Sequence, residues 1–179
     1  KNGFVWVSLE NTNETEMNLI LRDVFKFHPL AIEDCLSNGF QTPKLDDYGA
    51  YIFLVANALS QITDFHELSS IEIDFFLGEN FLVTSHMNEG MPPLESVQKR
   101  IERDERLYSH GADFLCHAIL DKLVESMFQQ RESKEQKEVV GGANLQSNTH
   151  TRISVECLQI SLDIWTSLLV QREFDKHND

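Results

Sequence analysis

The sequence predicts an α/β fold in which helices pack on a mixed β-sheet. Three observations carry this. Strand-type and helix-type periodicities alternate along the chain. Two β-rich runs flank the turn residues Gly78-Glu79-Asn80, which closes them into an antiparallel hairpin. Finally, 179 residues with 41% hydrophobic content suffice for one domain with a full core.

The elements follow in order. Phe4–Leu9 alternates around Trp6 as a short strand. Asn13 and Glu16 have capping-box spacing, and Met17, Ile20, Leu21, Val24 and Phe25 follow as the apolar face of an amphipathic helix. Pro29, with no backbone donor to lose at a first helical position, starts a short helix. On it Ile32, Cys35 and Leu36 share one face, and Glu33 and Asp34 project from the other. Asn38-Gly39 and Thr42-Pro43 mark a loop, and Tyr51–Leu59 reads as a buried strand. Ile71-Glu72-Ile73-Asp74-Phe75 alternates cleanly enough to face solvent on one side, within a hairpin of Ser69–Leu77 and Phe81–His86. Pro92-Pro93 ends that unit, and helices are expected over about Leu94–Arg106 and Asp113–Gln130. Residues 132–152 are polar around Gly141-Gly142 and are expected to be disordered or partly helical. From Ile153 a heptad-like seam of Val155, Leu158, Leu162, Trp165 and Leu169 predicts a last helix, packed on its own domain in preference to a second chain.

Fifteen basic against twenty-nine acidic residues leave a formal charge of −14. Such a chain repels phosphate backbones and anionic lipid, which argues against nucleic acid or a membrane surface as partner. Cys35, Cys116 and Cys157 are widely spaced with no CxxC, which suits buried thiols in a reducing compartment better than a zinc knuckle or redox pair. The longest apolar run, near Tyr51–Leu59, falls short of the roughly 20 residues that a membrane span needs, so this stretch of chain reads as soluble.

Two constellations could hold metal. Glu33 and Asp34 are adjacent carboxylates on a capped turn, the ligand type that a hard, water-retaining cation such as Mg2+ prefers. Alone they read first as a solvated acidic face, because most surface carboxylates bind nothing. Asp113, His117, Asp121 and Glu125 recur at i+4 on one helix, a spacing that could hold Zn2+, Co2+ or Ni2+ but that any polar helix face also shows. No GxSxG, P-loop, GxGxxG or HExxH is present, so no catalytic motif supports an enzyme. A hydrolase-like α/β enzyme stays open only because triads assemble in space.

The run Phe27-His28-Pro29-Leu30-Ala31-Ile32-Glu33-Asp34-Cys35-Leu36, then Pro43-Lys44, resembles the soluble cytoplasmic domain of the CorA family of magnesium and cobalt transporters. Trp6, Tyr51–Val55, Phe81–His86, Gly111–Leu115 leading to Ala118–Val124, and Gln171-Arg172-Glu173 match in the same order. The resemblance covers residues 4–128 and 156–174 and is weak across 129–155. It implies a three-layer α/β/α sandwich with a mixed central sheet, followed by a long C-terminal helix. The implied divisions are an α/β cytoplasmic (funnel) domain over 1–131, a divergent polar segment over 132–152, and a helix over 153–179 leading toward a stalk and membrane spans.

The resemblance also implies a function. The chain starts at Lys1 inside the family's sheet and stops before the stalk and spans, so it reads as a cytosolic piece of a membrane protein. That protein would sit in the cell (inner) membrane as a homopentamer, touching lipid only through those spans. The family's regulatory ligand maps to Asp34, and a neighbouring site maps to Glu33 and Asp121. Mg2+, or Co2+, bound between neighbouring copies would hold the pore closed. A zinc transporter of the same superfamily is the alternative, because ion selection is attributed to the pore.

Overall fold

The computed structural model describes residues 3–37, 41–59, 70–87, 90–104 and 110–141. Five strands form one sheet in the order β1-β5-β4-β3-β2. They are β1 (Val5–Glu10), β2 (Lys44–Asp47), β3 (Tyr51–Leu59), β4 (Ser70–Gly78) and β5 (Phe81–His86). β1 runs parallel to β5, with Val5 opposite Phe81, and every other pairing is antiparallel. The sheet is therefore mixed, and the 78–81 hairpin forms as its turn residues predict. Gly78 is required there, because a Cβ on it would come within 2.3 Å of the Phe81 ring.

Side-chain alternation splits the core into two layers. Phe53, Val55, Phe76 and Val83 point to one face, under α1 (Glu14–Asn18), a π-helical segment (Leu19–Val24) and α2 (Pro29–Leu36). Leu54, Ile73, Phe75 and Leu82 point to the other, under α3 (Pro92–Arg103) and α4 (Ala112–Gly141). The result is the expected three-layer α/β/α sandwich, with the long helix α4 at its C-terminal side.

Four local expectations need correction. The helix over 17–25 is α-helical only to Asn18. It then widens into the π-form, which admits one more residue per turn and rotates the apolar face. Met17 and Leu21 are buried as expected, but Val24 is exposed. Pro92 and Pro93 open α3 at its first positions, where their missing donors cost nothing. The polar side of β4 does not face solvent: α2 covers it, and Asp74 is only 4% exposed. Lastly, α4 runs past Gln130 to Gly141, through Glu-, Lys- and Gln-rich sequence of good helix propensity that ends at Gly141-Gly142. The rest of 132–152 and the seam expected from Ile153 lie outside the described residues.

Candidate metal-responsive face

Helix α2 is fixed at both ends by bonds that follow from its sequence. Lys26 adopts φ +60°, turning the chain so that the Phe27 amide donates to the Leu21 carbonyl at 3.0 Å. Phe27 then stacks on Phe76 with ring centroids 4.3 Å apart. The His28 amide donates to the Tyr51 hydroxyl at 2.7 Å, and His28 Nδ1 accepts from the Leu30 amide, capping the helix ahead of Pro29. At the other end the Asp34 carbonyl accepts from the Ser37 hydroxyl at 2.8 Å and from Gln41 Nε2 at 2.6 Å. Gln41 also donates its amide to Glu72 on β4 and accepts from Asn57 Nδ2 on β3. Gln41 thus ties the end of α2 to two central strands.

Held this way, α2 buries Ala31, Ile32 and Cys35 and leaves Glu33 exposed beside Asp34. Asp34 differs from the freely solvated acid that its helix position suggests. Its side chain is one-third exposed, and Oδ2 lies 2.5 Å from Lys44 Nζ. The same ammonium lies 3.2 Å from Asp46 Oδ2 and 5.5 Å from the Phe53 ring centroid. Burial lowers the Lys44 pKa, but bonds to Asp34 and Asp46 outweigh it and hold the ammonium above its ordinary value.

Behind this pair the face is acidic and dry. Burial pushes Asp74 up to about 7, against the lowering effect of a hydrogen bond from the Cys35 thiol, while the Glu72 and Asp34 charges add to the rise. Asp74 Oδ1 is buried with no hydrogen-bond partner among the described residues. Glu72 is also raised by burial, opposed by the bond from Gln41. The Cys35 thiol is raised well above its ordinary value, first by burial and then by the Asp74 charge, with a bond from Ser85 working the other way. Cys35 and Cys116 are free buried thiols, as expected, and Cys157 lies outside the described residues.

The remaining predicted site residues lie on α4. His117 Nδ1 is 3.2 Å from Asp121 Oδ2, so one i+4 pair of the stripe meets. Glu125 is engaged instead by Lys122 at 2.7 Å and by Gln129 at 3.1 Å, and Asp113 sits in the first turn. Among the described residues no group of three or more His, Cys, Asp or Glu side chains is placed to hold a metal ion. Asp121 belongs to the layer opposite α2, so one chain does not bring it to Glu33 and Asp34. What one chain offers a hard cation is two neighbouring carboxylates on α2, one of them already bonded to an ammonium. Sequence marked Lys44 only as part of the motif that carries the resemblance and gave Gln41, Glu72 and Asp74 no place at the site; the cue for the acids was the strict alternation of β4.

The architecture is a three-layer α/β/α domain, with an acidic face on α2 and β4. The family model described as "CorA-like Mg2+ transporter protein" matches residues 1–159, and the chain belongs to that family, one of transporters and not of enzymes. It is 41% identical over 126 residues to the protein YfjQ of Bacillus subtilis, covering 70% of this chain and 37% of that protein. It is 27% identical over 124 residues to the cobalt/magnesium transport protein CorA of Thermotoga maritima, covering 69% and 35%. The chain thus spans just over a third of these curated relatives. Its fold is similar to the soluble domain of CorA from Methanocaldococcus jannaschii, with TM-score 0.60 and 13% identity, covering 93% of this chain and 69% of that one. Among the described residues no helix is long and apolar enough to cross a membrane.

Proposed function

We propose that this chain is the cytoplasmic metal-sensing and gating domain of a divalent-cation channel for Mg2+ or Co2+, assembled as a homopentamer on the cytoplasmic face of the cell (inner) membrane. The observation that carries the reading is Asp34. Its carboxylate stands on a helix anchored at both ends, is partly open to solvent, already bonds a cation, and has the exposed Glu33 beside it. Asp121 lies in the opposite layer, so the neighbouring site that pairs it with Glu33 is built between copies of the chain. Each copy brings a formal −14, and neighbouring copies repel unless counter-ions lie between them. A divalent cation bound there favours the close-packed arrangement and shifts the population toward it. When the ion is scarce, repulsion loosens the assembly and uptake resumes.

The test is Asp34→Asn in the intact transporter, with Mg2+ inhibition of uptake as readout. Asn keeps the shape and one acceptor but loses the charge. Coupling of about 1–3 kcal/mol predicts that half-inhibition needs several-fold more Mg2+. The melting temperature of the chain shifts little, because the lost Lys44 pair is partly exposed and worth about 1 kcal/mol at most. Unchanged basal flux together with unchanged inhibition would remove Asp34 from the mechanism.

A further inference from the structure

We propose that Lys44 is the counter-ion Asp34 keeps when no divalent cation is bound, so that the Lys44–Asp34 bond sets the metal concentration to which the α2 acids respond. This rests on the metal-sensing reading of Glu33 and Asp34 and adds a residue that reading does not contain.

Lys44 is placed by the sheet. It pairs with Val55, whose side chain belongs to the layer beneath α2, so Lys44 at the start of edge strand β2 rises on the same face. There its ammonium meets Asp34 at 2.5 Å. Its field also reaches Tyr48, Glu72 and Asp74, in each case favouring the ionised form. The effect of the ammonium on each of these groups is smaller than that of burial, so its main partner is Asp34.

Two features make the bond an exchangeable one. First, a doubly charged cation and an ammonium on the same carboxylate repel each other, so loading Asp34 requires Lys44 to leave. Apparent affinity is then the intrinsic affinity multiplied by the fraction of molecules in which Asp34 is free. Second, Lys44 has somewhere to go. Asp46, two residues along β2, already lies 3.2 Å away and can hold the ammonium after it leaves Asp34. Both partners are about one-third exposed, so the bond is neither sealed nor fully screened.

A partly exposed pair of this kind shifts the threshold by up to about fivefold. Lys44→Met in the intact transporter is expected to lower the half-inhibiting Mg2+ concentration by about that factor, and Lys44→Arg, which keeps the charge, to leave it at or above wild type. A second readout is independent of transport. In the intact transporter labelled with 15N-lysine, MgCl2 should move the Lys44 Nζ resonance away from its Asp34-bonded position, while NaCl of equal ionic strength should not. Asp34→Asn should abolish the response. An unchanged or higher threshold in a folded Lys44→Met protein overturns the inference. So does an Nζ resonance indifferent to Mg2+, which decides the matter alone if Lys44→Met does not fold. If those results come with a raised threshold in Asp34→Asn, only the role of Lys44 fails. If Asp34→Asn also behaves as wild type, the metal-sensing reading fails with it.

Discussion

Replacing Asp74 by Asn is expected to change how the stability of this domain depends on pH. In the folded chain the Asp74 carboxyl titrates at about 7, against an ordinary value of 3.8, chiefly because it is buried beneath α2. Since the folded value is the higher, the native state binds this proton more tightly than the unfolded chain does. Stability from Asp74 is therefore greatest below its unfolded pKa, falls as pH rises toward 7, and levels off above it. The slope in that window is about 1.4 kcal/mol per pH unit, so the loss between pH 5 and pH 8 comes to roughly 2–3 kcal/mol. Glu72 shifts in the same direction, and other groups titrate too, so the clean quantity is the difference between wild type and Asp74→Asn. Urea unfolding followed by circular dichroism at half-unit pH steps measures it. The variant should gain roughly 2–3 kcal/mol on wild type between pH 5 and pH 8, about 5–10 °C in melting temperature for a chain of this size. Parallel curves for the two proteins would show that Asp74 is not a displaced acid, whatever the absolute stabilities.

Two further substitutions test the fold that presents the face. Gly78→Ala drives a methyl into the Phe81 ring, which cannot swing aside without leaving its contacts with Phe25 and Phe27; a cost of about 1–3 kcal/mol is expected in denaturant unfolding. Phe76→Ala empties a fully buried position where the rings of Phe27, Tyr51 and Phe53 meet. It should cost about 3–5 kcal/mol, with hydrogen exchange accelerated in β3 and β4.

Much of the fold was legible because the signals are local. Pro29 and the spacing of Ile32 and Cys35 fix α2 without reference to anything distant, and the turn at Gly78-Glu79-Asn80 forces two adjacent strands together. The order of the sheet was not legible, since nothing in Val5–Glu10 announces that its partner is Phe81–His86 and that the two run parallel. The π-form of Leu19–Val24 was hidden for a different reason: spacings of three and four spell an α-helix, and a single π turn inside such a stretch has no spacing of its own in the sequence. The candidate site divides the same way. Glu33 and Asp34 stand out as neighbours in sequence, whereas the Lys44 bond joins residues ten positions apart across α2 and β2. The alternation of β4 was read correctly as a pattern, but its conclusion failed because an edge of polar residues looks the same whether water or a helix lies over it. Asp74 shows that the helix won.

The parallel pairing of β1 with β5 has a consequence for how this chain is made. β1 leaves the ribosome early, yet the tie from Trp6 Nε1 to Thr84 Oγ1 joins positions 78 residues apart. At roughly 5–20 residues per second, β1 waits about 4–15 s for its partner strand to be synthesised. Throughout that interval β1, bearing Val5, Trp6 and Val7, lacks its β5 partner, while β3, β4 and β5 can close as a meander from neighbouring pairings. Of the five described strands, β1 is then the last to be paired during synthesis. A pause in translation shortly before codon 81 should lengthen the exposure of β1 and raise the yield of aggregated or chaperone-bound chains, whereas a pause after codon 86 should not.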